Sequence, residues 1–202
     1  MSKTEWKAGT MLYPLPVVLV SCGADDSEFN LFTVSWTGTI CSNPPMCYIS
    51  VRPERHSYGI IKKNMAFVIN LINKDLVFAT DWCGVKSGRE FNKFQETKLT
   101  PVMSKNVAAP YVNESPLSIE CEVTQIIPLG SHDMFIAKVV AVQSDNKYLD
   151  IETNEFSLEK AGLVSYTHGA YYQQGKNLGR FGYSVMKKRT IKKMNRAKNL
   201  GK

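Results

Sequence analysis

Several common signatures are missing from this chain of 202 residues. Its longest apolar run, residues 15–20, is far shorter than the roughly 18 residues that a membrane-spanning helix needs. The G-x-G-x-x-G pattern of dinucleotide-binding folds does not occur, and neither does the phosphate-binding loop G-x-x-x-x-G-K-[ST]. The G-x-S-x-G turn of the α/β-hydrolases is also absent. These absences argue against a membrane helix, a Rossmann domain, a P-loop nucleotide hydrolase and an α/β-hydrolase.

Cysteine and histidine are too few and too scattered to indicate a metal site. The five cysteine residues include no C-x-x-C pair, and none of the three histidine residues has a second ligand at close helical or strand spacing. The first seven residues lack the apolar core of a secretion signal. We therefore expect no metal, no membrane association and a reducing, cytoplasmic compartment.

The net charge of +7 is unevenly distributed along the chain. Eight of the 25 Lys and Arg residues lie in residues 187–202, which contain no acidic residue, so residues 1–186 are close to neutral. A basic tail can bind nucleic acid or anionic lipid, or it can be a solvated helix end. No aromatic residue is interleaved with these charges, which favours the solvated helix end and predicts no nucleic-acid partner. We expect one domain over residues 1–186 and a basic tail over 187–202.

Apolar and β-branched runs predict a mainly β protein. Strands are expected over residues 15–23, 31–40, 46–52 and 66–72, and two long strands over 117–127 and 134–143. Helical patterns follow Pro53, over residues 54–63, and again over 74–82. The two long strands are joined by a short loop, so they should pair in antiparallel fashion. These features together predict an antiparallel β-barrel with a few helices packed outside it.

Two polar segments are candidate functional sites. Residues 52–57 (RPERHS) lie where a strand passes into a helix, so Arg, His and Ser donors could meet an anion at the helix N-terminus. Equally, Glu54 or Ser57 could cap the helix while the arginine side chains face water. In the strand around Trp36, the hydroxyls of alternate residues from 33 to 39 share one face. That face could bind a flat heteroaromatic ring, or it could be an ordinary solvated strand face.

These segments resemble a known family when they are taken in order with four others. The similar stretches are residues 33–38 (TVSWTG), 42–45 (SNPP), 50–57 (SVRPERHS), 67–71 (FVINL), 83–89 (CGVKSGR) with 93–94 (KF), and 130–135 (GSHDMF). They resemble the FMN-binding split-barrel flavoproteins of the flavin reductase-like group, on the branch that includes flavoredoxin. The resemblance runs from about residue 10 to about residue 185, which is nearly all of the chain except the basic tail.

The resemblance implies an antiparallel Greek-key split barrel that binds FMN without a covalent bond and forms a homodimer with the flavin near the subunit interface. Its implied ring contacts are the strand residues Thr33, Val34, Ser35 and Thr37, with Trp36 beside the ring, Asn30 just before the strand, and His132 near the ring system. Its implied phosphate contacts are Arg52, His56 and Ser57, preceded in the same stretch by Ser50 and Val51. The later loop would add polar contacts from Ser87 and Lys93.

The function implied by the resemblance is electron transfer from NADH or NADPH through FMN to an acceptor. The alternative is a flavoredoxin-type carrier that exchanges electrons with a ferredoxin-like protein and does not oxidise nicotinamide directly. A third possibility is a flavin-free protein that keeps the barrel for binding or assembly. A positive group near the reduced ring, such as Lys93 or His132, would raise the flavin potential. Cys83 is either a redox-active loop thiol or inert packing.

Overall fold

The structure is a computed structural model that describes residues 1–179 and 181–187. Its four α-helices are α1 (His56–Asn64), α2 (Val77–Val85), α3 (Lys93–Thr97) and α4 (Leu158–Ala161). The strands, in chain order, are β1 (Leu15–Pro16), β2 (Val18–Cys22), β3 (Asn30–Val34), β4 (Thr37–Ser42), β5 (Pro45–Val51), β6 (Ala66–Leu71), β7 (Pro101–Met103), β8 (Pro110–Val112), β9 (Leu117–Pro128), β10 (Asp133–Ser144), β11 (Val164–Thr167) and β12 (Ala170–Gln173).

Seven of these strands form one antiparallel sheet in the order β3-β2-β6-β9-β10-β5-β4. The two edge strands, β3 and β4, are consecutive in the chain, with only residues 35–36 between them. Three Cα-to-Cα steps span at most about 11 Å, so the two edges of the sheet must lie close together. The sheet therefore curls into a barrel that stays open between β3 and β4, as the split-barrel expectation requires.

This closure corrects the expectation of one continuous strand over residues 31–40. The chain leaves the sheet edge after Val34 and re-enters at the opposite edge at Thr37. At this corner the backbone N–H of Ser50 donates to the carbonyl of Trp36 at 2.9 Å. The local sequence does not account for this corner, because every residue from 31 to 40 except Gly38 is a β-forming type or a small polar residue. The corner therefore depends on closure of the barrel. The predicted antiparallel pairing of the two long strands is confirmed as β9 with β10.

Two clusters of buried side chains hold the helices to the barrel. One fills the barrel interior and includes Val20, Ile49, Phe67 and Phe135. The other lies between the outside of the sheet, α2 and α3, and is formed by residues such as Leu19, Leu31, Ile72, Leu76, Ala79 and Phe94. Helix α1 follows β5 after residues 52–55 and begins at His56, whereas the sequence pattern predicted a start at residue 54. A 3₁₀ turn precedes α2, where the helix was expected from residue 74. This packing brings the start of α1 and the loop after α2 to one end of the barrel.

The remaining strands form two small sheets outside the barrel. Strands β1, β11 and β12 make a three-stranded sheet, and β7 pairs with β8. No helix within the described part of the chain is long and apolar enough to cross a membrane. The same residues contain no cluster of metal-binding side chains. Of the predicted basic tail, only Lys187 lies within the described residues; residues 188–202 lie outside them.

Candidate functional site

Two adjoining clefts open at the end of the barrel where α1 begins. The larger, called the cationic cleft, has a volume of about 390 Å³ and is lined by Asn30, Phe32, Arg52, Glu54, Arg55, His56, Ser57, residues 85–89 and Lys93. The smaller, called the groove, has a volume of about 180 Å³ and is lined by residues 32–36, Ser50, Val51, Arg52, Arg55 and His132. The two clefts share Phe32, Arg52 and Arg55, so a single elongated ligand can occupy both.

Thirteen of the fourteen residues that the family resemblance implied for cofactor binding line one or both of the clefts. The cationic cleft is lined by Asn30, Arg52, His56, Ser57, Ser87 and Lys93, and the groove by Thr33, Val34, Ser35, Trp36, Ser50, Val51, Arg52 and His132. The exception is Thr37, which is buried and lines neither cleft. Its hydroxyl donates to the carbonyl of Tyr48 at 2.6 Å. Thr37 therefore holds β4 to β5.

Positive charge dominates the cationic cleft. Five of its lining residues are Lys or Arg and one, Glu54, is acidic. Arg52 lies 3.5 Å from the Glu54 carboxylate in an exposed ion pair, and Arg55 donates to the carbonyl of Gly84 at 3.3 Å. The sequence-based site did not include Arg55, Lys86 or Arg89. Arg55 lies within the 52–57 stretch, and Lys86 and Arg89 lie within the loop 83–94. The sequence therefore contained these residues in the right segments but did not indicate that their side chains line the cleft.

Among the described residues, Lys93 is the only buried cation that lines this cleft, with 3% of its surface exposed. It is the first residue of α3, and its Nζ donates to the carbonyl of Cys83 at 2.7 Å. Burial lowers the pKa of the Lys93 ammonium to about 8. None of the described carboxylates lies within ion-pair distance of Nζ. A buried ammonium without a counter-charge is stabilised when an anion occupies the space beside it.

The N-terminus of α1 faces the same cleft. Its N-cap residue, Arg55, makes no side-chain capping bond, so the alternative in which Glu54 or Ser57 caps the helix is not observed. Ser57 is buried, and its Oγ accepts a hydrogen bond from Asn30 Nδ2 at 2.7 Å. Burial and the nearby charges of Arg89 and Lys93 lower the pKa of His56. Uncapped N–H groups at the positive end of a helix are suited to binding an anion.

Gly88 explains how the loop after α2 reaches the cationic cleft. A Cβ atom on Gly88 would clash with the Asn30 side chain and would lie 2.8 Å from His56 Cδ2. Only glycine allows the loop backbone to approach these two side chains so closely. The loop then carries Ser87 and Arg89 to the cleft. A methyl group added at Gly88 would therefore displace the Asn30 and His56 side chains that line this cleft.

The groove differs from the hydroxyl-lined face that the sequence suggested. The hydroxyl of Thr33 donates to the carbonyl of Thr80 on α2, so it is occupied by packing. The Trp36 indole packs against the His132 ring, with ring centroids 4.5 Å apart. Burial and the charge of Arg52 lower the pKa of His132, which favours its neutral form. Two aromatic rings and the ends of β3 and β5 thus form the groove.

Comparison with known proteins identifies the family of this chain. A family model described as "Flavin reductase like domain" matches residues 10–173. The chain belongs to the flavin reductase-like family. Its fold is the flavin reductase-like split barrel, and it is similar to the flavoredoxin of Desulfovibrio vulgaris (Miyazaki F), with a TM-score of 0.85 and 30% identity over 92% of this chain and 100% of that chain.

Two further proteins are similar to this flavin reductase-like chain. Flavoredoxin from Methanosarcina acetivorans has the same fold, with a TM-score of 0.83 and 24% identity over 92% of this chain and 100% of that chain. An FMN reductase (NADH) of Serratia proteamaculans is 21% identical over 111 residues, which are 55% of this chain and 61% of that relative. The family resemblance drawn from the sequence is therefore confirmed.

Proposed function

We propose that this chain binds FMN non-covalently and passes electrons from a reduced nicotinamide, through the flavin, to an acceptor. The observation that carries the proposal is the buried Lys93 ammonium, which has no ion-pair partner among the described residues and lies in a cationic cleft that continues into a ring-lined groove. FMN carries a phosphate dianion at one end and a flat heteroaromatic ring at the other. The donor set fits that molecule, because cations and helix N–H groups stand at one end and two aromatic rings at the other.

The residues divide between the two ends of the flavin. Arg52, His56, Ser57 and Lys93 would hold the phosphate, with Ser87 nearby. The groove residues 33–36, Ser50, Val51 and His132 would contact the ring, and Asn30 would position Ser57 through the 2.7 Å hydrogen bond. Thr37 has no place in this set, because its hydroxyl is already used by Tyr48.

Bound FMN would supply the redox chemistry, which is the acceptance of a hydride or of single electrons at the ring. The chain orients the molecule by its phosphate and surrounds the ring with Trp36 and His132. Arg52 and Arg55, the two cations that line the groove as well as the cationic cleft, would favour an anionic reduced ring electrostatically. A second candidate is an electron carrier that exchanges electrons with a redox protein. The 30% identity to a flavoredoxin over the full length of that chain favours this candidate.

Binding experiments with FMN and riboflavin test the first part of the proposal. Purified protein should bind FMN at least tenfold more tightly than riboflavin, because only FMN carries the phosphate. Equal affinities, or no binding of either, would contradict the assignment of the cationic cleft to a phosphate. A visible spectrum of the FMN complex should then be recorded without oxygen, before and after addition of NADH or NADPH. Bleaching on the timescale of turnover favours the reductase, and an unchanged spectrum favours the carrier.

Two further features belong to the proposal. We propose a homodimer, as the family resemblance implies, and a cytoplasmic location. All five cysteine residues are free thiols, which supports a reducing compartment. Sedimentation analysis of the purified protein tests the dimer.

A further inference from the structure

Asp133 lies where the elements that form the two clefts meet. It is the first residue of β10 and directly follows His132, which lines the groove. In the sheet it is the register partner of Val51, the last residue of β5. Its carboxylate also accepts a hydrogen bond from the Tyr58 hydroxyl on α1, with 2.6 Å between the two oxygen atoms. One residue of β10 therefore contacts both β5 and α1.

These two contacts enclose the segment that supplies Arg, His and Ser side chains to the cationic cleft. Strand β5 ends directly before residues 52–57 and Tyr58 follows them, so Asp133 holds the segment at both of its ends. Within the segment, the backbone N–H of Arg55 donates to the carbonyl of Arg52 at 3.0 Å. The N–H of Tyr58 donates to the carbonyl of Arg55, also at 3.0 Å. Residues 52–57 thus form a short closed turn, which we call the anchored turn.

Packing holds the Tyr58 ring in the direction that this hydrogen bond needs. Asp133 and Phe135 share one face of β10, because side chains alternate between the two faces of a strand. The Tyr58 ring meets the buried Phe135 ring edge to face, with ring centroids 5.3 Å apart. Tyr58 therefore packs against the barrel interior while its hydroxyl reaches the carboxylate. A hydrogen bond from a hydroxyl to a carboxylate is stronger than one between neutral groups.

The first turn of α1 faces two ways. His56 and Ser57 line the cationic cleft, whereas Tyr58 lines neither that cleft nor the groove. Asp133 also lines neither of them. The Tyr58–Asp133 pair can therefore affect a ligand in the clefts only through the position of the anchored turn.

FMN has to meet two groups of residues at a limited range of separations. Its phosphate would lie among side chains of the anchored turn, and its ring would lie in the groove beside His132. The covalent chain between phosphate and ring has a limited length. Both ends of the molecule therefore bind at once only when the turn and the groove are held at a matching distance.

We propose that Tyr58 and Asp133 are a positioning pair, which holds the anchored turn at the distance from the groove that FMN requires. This inference rests on the proposed function, because it deepens the assignment of the FMN phosphate to the cationic cleft. Without the hydrogen bond the turn occupies several positions, and only a fraction of them admits both ends of FMN. The apparent affinity for FMN falls with that fraction. Riboflavin has no phosphate to place among the turn residues, so its affinity does not depend on this distance.

The first test compares the dissociation constants of FMN and riboflavin. Tyr58→Phe removes the hydroxyl and keeps the ring against Phe135. It should weaken FMN binding about 5- to 30-fold and leave the riboflavin constant within about twofold of the wild-type value. Asp133→Ala should have the same effect, and the double variant should add little to either. Asp133→Asn should retain most of the FMN affinity, because its amide oxygen can still accept the hydrogen bond.

Tyr171→Phe is the matched control. The Tyr171 hydroxyl donates to the Asp81 carboxylate at 2.9 Å, and neither of these two residues lines the cationic cleft or the groove. The control removes the same kind of hydrogen bond elsewhere and should leave both dissociation constants unchanged. A Tyr58→Phe protein with the wild-type ratio of the two constants would overturn the positioning role. That result includes equal weakening of both flavins, which would mean that the bond only stabilises the fold.

The second test is amide hydrogen exchange on the flavin-free protein, which examines the turn without FMN. The amides at positions 55 and 58 are hydrogen-bonded in the wild type and should exchange at least about fivefold faster in Tyr58→Phe, while those of β9 stay unchanged. A wild type that prefers FMN, combined with unchanged exchange in the variant, contradicts the positioning role alone. A wild type that binds FMN and riboflavin equally, combined with faster exchange in the variant, contradicts the proposed function alone.

Discussion

Replacing Lys93 by methionine should make the FMN-free protein more stable and its complex with FMN weaker. Methionine keeps most of the length of the side chain and removes the ammonium, which is 3% exposed and has no described counter-charge. Replacing a buried charge by an apolar group of similar size is often stabilising. The opposite signs of the two effects make this variant more informative than a simple loss of function.

The stability gain can be estimated from the pKa. The gap between the ordinary value of 10.5 and about 8 for Lys93 corresponds to about 3 kcal/mol at 25 °C. In the wild type the folded state binds the Lys93 proton less tightly than the unfolded state does, so this loss is complete below pH 8 and disappears as the pH rises towards 10.5. The lost hydrogen bond to Cys83 O offsets about 1 kcal/mol. At pH 7 the variant should therefore gain about 2 kcal/mol, or about 4–8 °C in Tm.

The loss of FMN affinity follows from the same charge. A hydrogen bond to a charged group contributes about 1.5–3 kcal/mol, so FMN should bind about 10- to 150-fold more weakly to the variant. Riboflavin lacks the phosphate, and its affinity should not change.

Thermal unfolding of the FMN-free protein and titration with both flavins measure the two effects. Lys74→Met is the matched control, because Lys74 is exposed and its replacement removes the same charge without relieving burial. It should change stability by no more than about 0.5 kcal/mol. A Lys93→Met variant that is less stable than the wild type and binds FMN normally would show that Lys93 serves only to hold the Cys83 carbonyl.

Three other outcomes are expected. Wild-type affinity for FMN should fall as the pH rises above about 8, where Lys93 loses its proton, and Lys93→Arg should remove this dependence in titrations from pH 6.5 to 9.5. Gly88→Ala should cost about 1–3 kcal/mol in a denaturant titration and weaken FMN binding, because the new methyl group clashes with Asn30 and His56. Thr37→Val should cost about 0.5–1.5 kcal/mol by removing the hydrogen bond to the partly buried Tyr48 carbonyl, while its FMN affinity stays at the wild-type value.

The fold was predictable wherever neighbouring segments pair with each other. Strands β9 and β10 lie on either side of a short loop, so their pattern and their pairing are both local. Residues 31–40 failed as a single strand because the break at residues 35–36 is imposed by closure of the barrel. Its stabilising contact, from Ser50 N to Trp36 O, joins segments that no periodicity in the sequence connects. The predicted single strand over residues 15–23 has the same limitation, because β1 belongs to the three-stranded sheet and β2 to the seven-stranded sheet.

The candidate site was predictable where its donor residues are consecutive in the sequence. Residues 52–57 place Arg, His and Ser at a strand-to-helix transition, and the structure puts that transition at the mouth of the cationic cleft. The loop residues are different, because Gly88 meets Asn30 and His56 only after α2 has packed against the sheet. The alternation of hydroxyl residues from 33 to 39 did not predict the groove lining well, because the hydroxyls of Thr33 and Thr37 both donate to backbone carbonyls of other segments.

Lys93 shows most clearly what a sequence leaves open. A lysine within a polar segment normally extends into water, and nothing in residues 83–94 indicates that this one is buried. Its burial arises because α3 packs Phe94 into the cluster beneath the sheet, and this packing draws the preceding residue inward. A fold that excludes an unpaired ammonium from water loses stability, and an anion in the cleft restores it. The depressed pKa of Lys93, and the absence of an ion-pairing carboxylate among the described residues, support the proposed anionic ligand independently of any family resemblance.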